Sequence, residues 1–380
     1  MDNCYFRPVF YSKHNTMQRQ QMELRKLIVS IFSLVAAAAL PLILFAACSL
    51  TEKGQQEGVI IVASKSGDDV FFIDRTSGET LLVLPTGREP HEVEVSDDGR
   101  IAVITNYGDR IQPGNTLSVY DVAEGMLLKT IDLGEHTRPH GMKWITGTSS
   151  LLVTAEGSRH LLVVDVEQGK VAMTMYTDQP VSHMVAATPC MTRAFVPSIR
   201  TGNVTVFDLE SGELLAQVYS GEGAEGVEVH PDGHEVWVTN RASNTITVID
   251  TQTLDVVAIL PCADFPIRAR FSPDGKYFLV SNARSGDIAV FNTKEKVQVA
   301  SIKLTPPTPE DMDADRYFAD FEETSVPIGL VVPDNNTAYV ANTRSDAVSV
   351  IDLRSMEITG HFAAGKEPDG IHFSPLRPKH

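Results

Sequence analysis

The sequence predicts an all-β fold: a single seven-bladed β-propeller spanning residues 59–378, with one blade closed by strands from both ends of the chain. Three observations carry the prediction. A four-part unit recurs at about 40 to 50 residues, the length of a propeller blade. The apolar runs inside it are short, β-branched and separated by Gly, Asp and Asn turns. Seven copies of the unit's first run and seven of its last can be counted, and the two ends of the chain are incomplete in complementary ways.

Residues 1–47 form a separate object. "ELRKLIVSIFSLVAAAALPLILFAACS" has a basic start, an apolar run and small residues before Cys48. This is the pattern of a secretory signal. Met22 and Met17 are alternative starts, which would leave the polar leader untranslated. "LFAAC", Leu44 to Cys48, resembles a bacterial lipobox, although Phe45 stands where Leu is usual and Leu44 lies one place early. The expectation is an exported, membrane-anchored lipoprotein with Cys48 as the lipidated residue, facing periplasm or cell exterior. Simple secretion and an uncleaved anchor are the alternatives. Residues 48–58 read as a polar, Gly-bearing tether.

Each unit then opens on an apolar strand: "VIIVAS" at 59, "IAVITN" at 101, "LLVTAE" at 151, "RAFVPS" at 193, "EVWVTN" at 235, "YFLVSN" at 277 and "TAYVAN" at 337. The second strand ends in Asp or Asn, as in "DVFFID" and "IAVFNT". A hairpin leads to a third, and a short phrase such as "TRPHGMKW" (Thr137 to Trp144) introduces the fourth. "NTITVID", Asn244 to Asp250, alternates as a strand with one packed face does. "VIIVAS" at one end and "GIHFSP" (Gly370 to Pro375) at the other lack partners that each can supply. Their pairing would close the ring and remove an exposed edge.

"YVANTRSDAVSVIDL" (Tyr339 to Leu353) and "GKEPDGIHFSP" (Gly365 to Pro375) resemble the YVTN-type seven-bladed propellers. That family is related to surface-layer propeller repeats, to the haem d1 domain of nitrite reductase and to quinoprotein amine dehydrogenase-like propellers, and more distantly to lactonase-like ones. The resemblance covers roughly residues 59 to 378. It implies the fold, and it implies no single chemistry, because this fold hosts several.

In WD-like propellers the strand after the recurring phrase is innermost. The phrase then sits at the channel mouth, where proline suits strand entry because it fixes φ and lacks a donor. The following position faces the axis. Blade by blade it is His91, His140, His183, Glu225, Ile267, Ile328 and Asp369, with a two-residue slip needed to bring in His183. Asp369, His91, His140, His183 and Glu225 make one continuous arc. Such a cluster can bind a divalent metal, for which His91, His140 and His183 are the expected ligands, or polarise a small ligand. Each histidine also has a plain structural reading, as a hydrogen-bond partner of the next blade.

Arginines in the loops after the first strands, Arg200, Arg241, Arg284 and Arg344, are expected on the same face. They would attract small anions unless they pair with acids such as Asp287 and Asp346. One connection, Thr305 to Val326, is unusually long. It holds seven acids and Arg316, with Tyr317, Phe318 and Phe321 able to pack down as a lid. "EDMDAD" within it has calcium-like acids without the spacing of an EF-hand.

Absences narrow the field. The formal net charge is −17, or −20 without the leader, which carries five basic and two acidic residues. No basic stripe favours nucleic acid. No C-x-x-C-H binds c-type haem, and no G-x-S-x-G or phosphate loop appears. Cys190 and Cys262 are expected on opposite faces, too far apart for a disulfide. The reading that results is a monomeric envelope propeller that binds a small anionic ligand, a metal or a protein partner at the channel mouth. The alternatives are a propeller enzyme, whether lactonase-like or a redox or cofactor-handling protein, and a purely structural surface repeat.

Overall fold

The computed structural model describes residues 57–307, 309, 316–321 and 324–379. The leader, Cys48, most of the tether and the "EDMDAD" acids lie outside the described residues. Seven four-stranded antiparallel sheets are present, and two single-turn 3-10 segments, Lys65–Gly67 and Thr343–Ser345, are the only helical turns among the described residues. None is long or apolar enough to cross a membrane.

Blade I joins the two ends. Val59–Ser64 pairs antiparallel with Pro368–Ser374, with Val59 opposite Ser374 and Ile61 opposite His372. Strands Asp69–Asp74 and Thr80–Pro85 complete it. The inner strands of blades II to VII are Pro90–Val95, Pro139–Trp144, Ala186–Ala187, Ala224–Val229, Pro266–Phe271 and Pro327–Asp334. Consecutive inner strands touch around the ring, with Pro368–Ser374 between blades VII and II.

The recurring residues of the unit have local reasons. The Asp or Asn that ends each second strand accepts N–H groups of the following hairpin turn. Asp208 Oδ1, for example, takes the amides of Glu210 and Ser211 at 3.1 and 2.8 Å. The side chains between blades form the core. One such layer joins Val59, Ile61 and Phe72 of blade I to Val93, Ile104 and Tyr120 of blade II, all buried.

Blade IV is the irregular one. Its inner strand shrinks to Ala186–Ala187 plus an isolated bridge between Ser182 and Ser198. Ser182 takes the place that proline holds in five of the blades, and this accounts for the slip required to reach His183. Cys190 and Cys262 are both free thiols, as their placement in the repeat predicts.

Candidate functional site

Seven equivalent backbone bonds build the mouth. In each blade a residue at or just beyond the end of the unit's first strand donates its N–H to a carbonyl two residues before the axis position. The pairs are Lys65–Glu367, Tyr107–Glu89, Glu156–Arg138, Ile199–Val181, Arg241–Gly223, Ala283–Phe265 and Thr343–Val326, at 2.9 to 3.2 Å. All seven acceptor residues lie in the left-handed region, from φ 45° at Glu89 to 74° at Gly223. Six are not glycine, at a cost of about 1–2 kcal/mol each. This turn aims the next residues at the axis.

Two stacked rings result. The expected ring of His91, His140, His183, Glu225, Ile267, Ile328 and Asp369 is present. Beside it stands a second, of Lys65, Tyr107, Glu156, Ile199, Arg241, Ala283 and Thr343. Polar meets polar on blades I, II, III and V and apolar meets apolar on blade VI, while blade IV pairs His183 with Ile199 and blade VII pairs Ile328 with Thr343. On blades VI and VII, Ile267, Ala283 and Ile328 pack with Phe318 and Phe321 of the long connection. Phe318 and Phe321 pack down over the apolar half of the mouth, while Tyr317 lies against Lys65 and donates to Glu89 on the polar half.

The polar half is one continuous network. Lys65 Nζ lies 3.3 Å from Asp369 Oδ2 and 3.8 Å above the Tyr317 ring. The Tyr107 ring stacks on His91, with centroids 4.2 Å apart, and its hydroxyl donates to Glu156 Oε2 at 2.7 Å. Glu156 Oε1 bonds His183 Nδ1, whose Nε2 lies 3.1 Å from Glu225 Oε1. Glu225 in turn accepts from Arg241 at 2.7 Å and from Arg268 at 2.9 Å. Arg268 reaches on to Glu92 Oε1 at 2.8 Å. His140 lies inside this chain, its ring 3.8 Å from that of His183 and 5.1 Å from that of His91. It is 2% exposed, and its Nδ1 has no hydrogen-bond partner among the described residues.

Burial and charge set the protonation states. Burial pushes His91 and His140 well below the ordinary imidazole value, and Lys65 beside His91 and His183 beside His140 add to this. Burial acts on His183 in the same direction, but Glu156 and Glu225 outweigh it and raise its pKa. Burial opposes ionisation of Glu225, yet His183, Arg241 and Arg268 hold its carboxyl at about 2. Burial raises Glu92 against the pull of Arg268, and Asp369 adds to the rise.

Two expectations need correction. Of the four loop arginines only Arg241 belongs to the mouth. Arg200, Arg284 and Arg344 stand one residue later in their loops, where Ile199, Ala283 and Thr343 hold the mouth position. Arg344 donates to Phe321 O at 2.9 Å, and Arg284 lies over the Phe321 ring. Their partners are not Asp287 and Asp346, since Asp346 pairs with Arg316 and Asp287 bonds Ser285 and Ser301. The second correction concerns the metal set. One ligand atom each of His140, His183 and Glu156 lie within 4.8 Å of one another, and His91 is not in this group. His91 Nδ1 is instead held at 3.0 Å from Glu89 O, and the ring is stacked on Tyr107.

Glu92 and Arg268 were not expected at the site, though a signal for them exists. The residue after the axis position is glycine in four blades, Gly141, Gly226, Gly329 and Gly370. A Cβ there would come within 2.1 to 2.7 Å of the next blade's backbone. Glu92 and Arg268 are the charged exceptions at this tier, and they fill the centre of the channel. Lys65, Tyr107 and Glu156 carry a fainter signal, as residues at the ends of the first apolar runs.

No curated protein matches the sequence significantly. Among solved structures, a functionally unknown protein from Desulfotomaculum acetoxidans superposes with a TM-score of 0.69 at 15% identity, covering 85% of this chain and all of that one. Hydrazine synthase of Kuenenia stuttgartiensis gives a TM-score of 0.64 at 18% identity, covering 78% of this chain and 92% of that one. At such identities the likeness concerns the fold alone. The family model of YNCE-like β-propellers matches residues 49–312, more than two thirds of the sequence. Together with the seven closed blades, this places the chain in the YNCE-like β-propeller family.

Proposed function

We propose that this protein is an exported binding propeller whose channel mouth takes a divalent transition-metal ion through His140, His183 and Glu156. The observation that carries the reading is His140: a fully buried imidazole with an orphaned Nδ1, grouped with two further ligands. Burying such a nitrogen unpaired costs about 1–3 kcal/mol, which an ion held through that atom would remove. Two imidazoles and a carboxylate suit zinc, copper or nickel. Bonds of about 2.0–2.2 Å put tetrahedral ligands about 3.4 Å apart, so the cluster needs to close by little more than 1 Å. Three protein ligands also leave a position open for an outside group.

An anion at this mouth is the weaker reading. Arg241 and Arg268 are already committed to Glu225 and Glu92. Export and attachment through Cys48 rest on the lipobox-like "LFAAC", and mass spectrometry of the mature N-terminus tests them.

Calorimetry of the full-length protein with zinc, copper and nickel at pH 7.5 tests the metal. Binding is expected there and at least tenfold weaker at pH 5.5, because a protonated imidazole cannot ligate. His140→Gln and Glu156→Gln should abolish it, while His91→Gln should retain it. No heat from any of the three ions, or full binding by His140→Gln, would overturn the reading.

A further inference from the structure

The opposite end of the channel carries a second set of polar residues, two positions beyond the tier of Glu92 and Arg268 on the same inner strands. It comprises Glu94, Lys143, Glu228, Arg270 and His372, from blades II, III, V, VI and I. Arg270 and Glu228 satisfy each other at 2.9 Å. Glu94 is 5% exposed, and its Oε1 accepts the backbone N–H of Trp144 at 3.0 Å. The Lys143 ammonium makes no bond or ion pair among the described residues. The bridge from Arg268 to Glu92 lies between this end and the histidine mouth.

His372 Nδ1 sits 3.0 Å from Phe373 O. A carbonyl can only accept, so Nδ1 carries the proton and Nε2 of the neutral ring is an acceptor. That Nε2 lies 3.6 Å from Glu94 Oε2. Two acceptors therefore face each other beyond hydrogen-bonding distance, with nothing donated between them. Protonating His372 is disfavoured. Burial lowers its pKa, Arg270 and Lys143 add to this, and Glu94 only partly opposes it. A cavity of about 330 Å³ opens at this point, walled by Trp144, Pro333, Phe373 and Pro375.

We propose that this far mouth binds a small zwitterion of the α-amino acid class. Its ammonium group would seat against Glu94 Oε2 and His372 Nε2, its carboxylate against Lys143, and its side chain against Trp144 and Phe373. Glu94 and Lys143 offer one carboxylate and one ammonium to match one of each on the ligand, whereas an ion of either sign alone satisfies half of this pair; Asp97, also in the wall, accepts the Gly147 N–H at 3.1 Å. An ammonium about 2.8 Å from both acceptors bridges their separation without strain. The site is independent of the metal reading, since it shares no residue with it.

The test uses full-length protein with L-alanine and L-leucine as probes, and acetate and methylammonium as the two halves of the head group. Trp144 reports occupancy, because Trp237 is the other tryptophan and is fully buried. Both amino acids should change the emission and give heat, and each half should bind at least about tenfold more weakly. Lys143→Gln and Glu94→Gln should each weaken binding about tenfold or more, the loss of one charged hydrogen bond. Glu94→Gln keeps an oxygen for the Trp144 amide. If it nevertheless fails to fold, Lys143→Gln on the partly exposed position decides alone. No response to either amino acid at about 10 mM, an equal response to acetate, or unchanged affinity in Lys143→Gln would each overturn the proposal.

Discussion

Arg268 of blade VI donates to Glu92 of blade II, three blades away around the ring, at 2.8 and 3.0 Å through Nη2 and Nε. The same guanidinium holds Glu225 of the adjoining blade. Its pKa is raised, because Glu92, Glu225 and Asp369 together outweigh burial. The channel is thus closed at mid-depth by one ion-paired side chain, and the blades are tied across their common axis.

Removing that cation strands the buried Glu92 carboxylate, while Glu225 keeps Arg241 and His183. Arg268→Met is expected to destabilise by about 3–5 kcal/mol, the range for breaking one side of a buried pair. Part of the loss should be recovered in the double variant Arg268→Met, Glu92→Gln. Denaturant melts of the two variants check this. Equal loss in single and double variants would mean that the pair is not coupled.

The histidines should give opposite pH signatures in chelator-treated protein. His183 has a raised folded pKa, so its contribution is complete below about pH 6.5 and is lost as pH rises through the folded value. His140 and His91 have depressed values, so their contribution is complete above about pH 6.5 and is lost on acidification. The stability gap between wild type and His183→Gln should therefore shrink from pH 6.5 to 9. The gap to His140→Gln should shrink from pH 6.5 to 5. A tenfold difference in proton affinity between folded and unfolded states is worth about 1.4 kcal/mol. Melting curves across this range read both signs directly.

Ring closure should depend on the last strand. Deleting residues 369–380 removes the partner of Val59–Ser64 and bares its buried edge. A sharply lower melting temperature and loss of a single cooperative transition are expected. An unchanged melt would show that the ring does not need this strand.

The glycine tier should tolerate no side chain. A Cβ on Gly329 would lie 2.1 Å from Asp369 O, whereas one on Gly360 meets nothing within 4 Å. Gly329→Ala should cost about 1–3 kcal/mol as overpacking. Gly360→Ala, on the outer strand Glu357–Ala363, should change stability by less than about 0.5 kcal/mol. Thermal melts of the two variants side by side make the comparison.

The sequence alone determined the seven blades, their register, the closure by Val59–Ser64 with Pro368–Ser374, and the ring from His91 to Asp369. These follow from local rules repeated seven times: a turn residue, a strand entry, an alternating strand. Repetition lets each blade correct the reading of the others, as it did for His183 in irregular blade IV. Only the tertiary structure decided how the charges pair. Arg241, Arg284 and Arg344 look alike in sequence, yet a one-residue offset sends Arg241 to Glu225 and the other two to Phe321. Glu92 and Arg268 are 176 positions apart, and no periodicity within a blade relates them. Glu156 rather than His91 joins His140 and His183 because the Glu89 carbonyl and the Tyr107 ring hold His91 aside. Pairing across a ring depends on side-chain reach and direction in three dimensions, and a linear repeat carries no record of either.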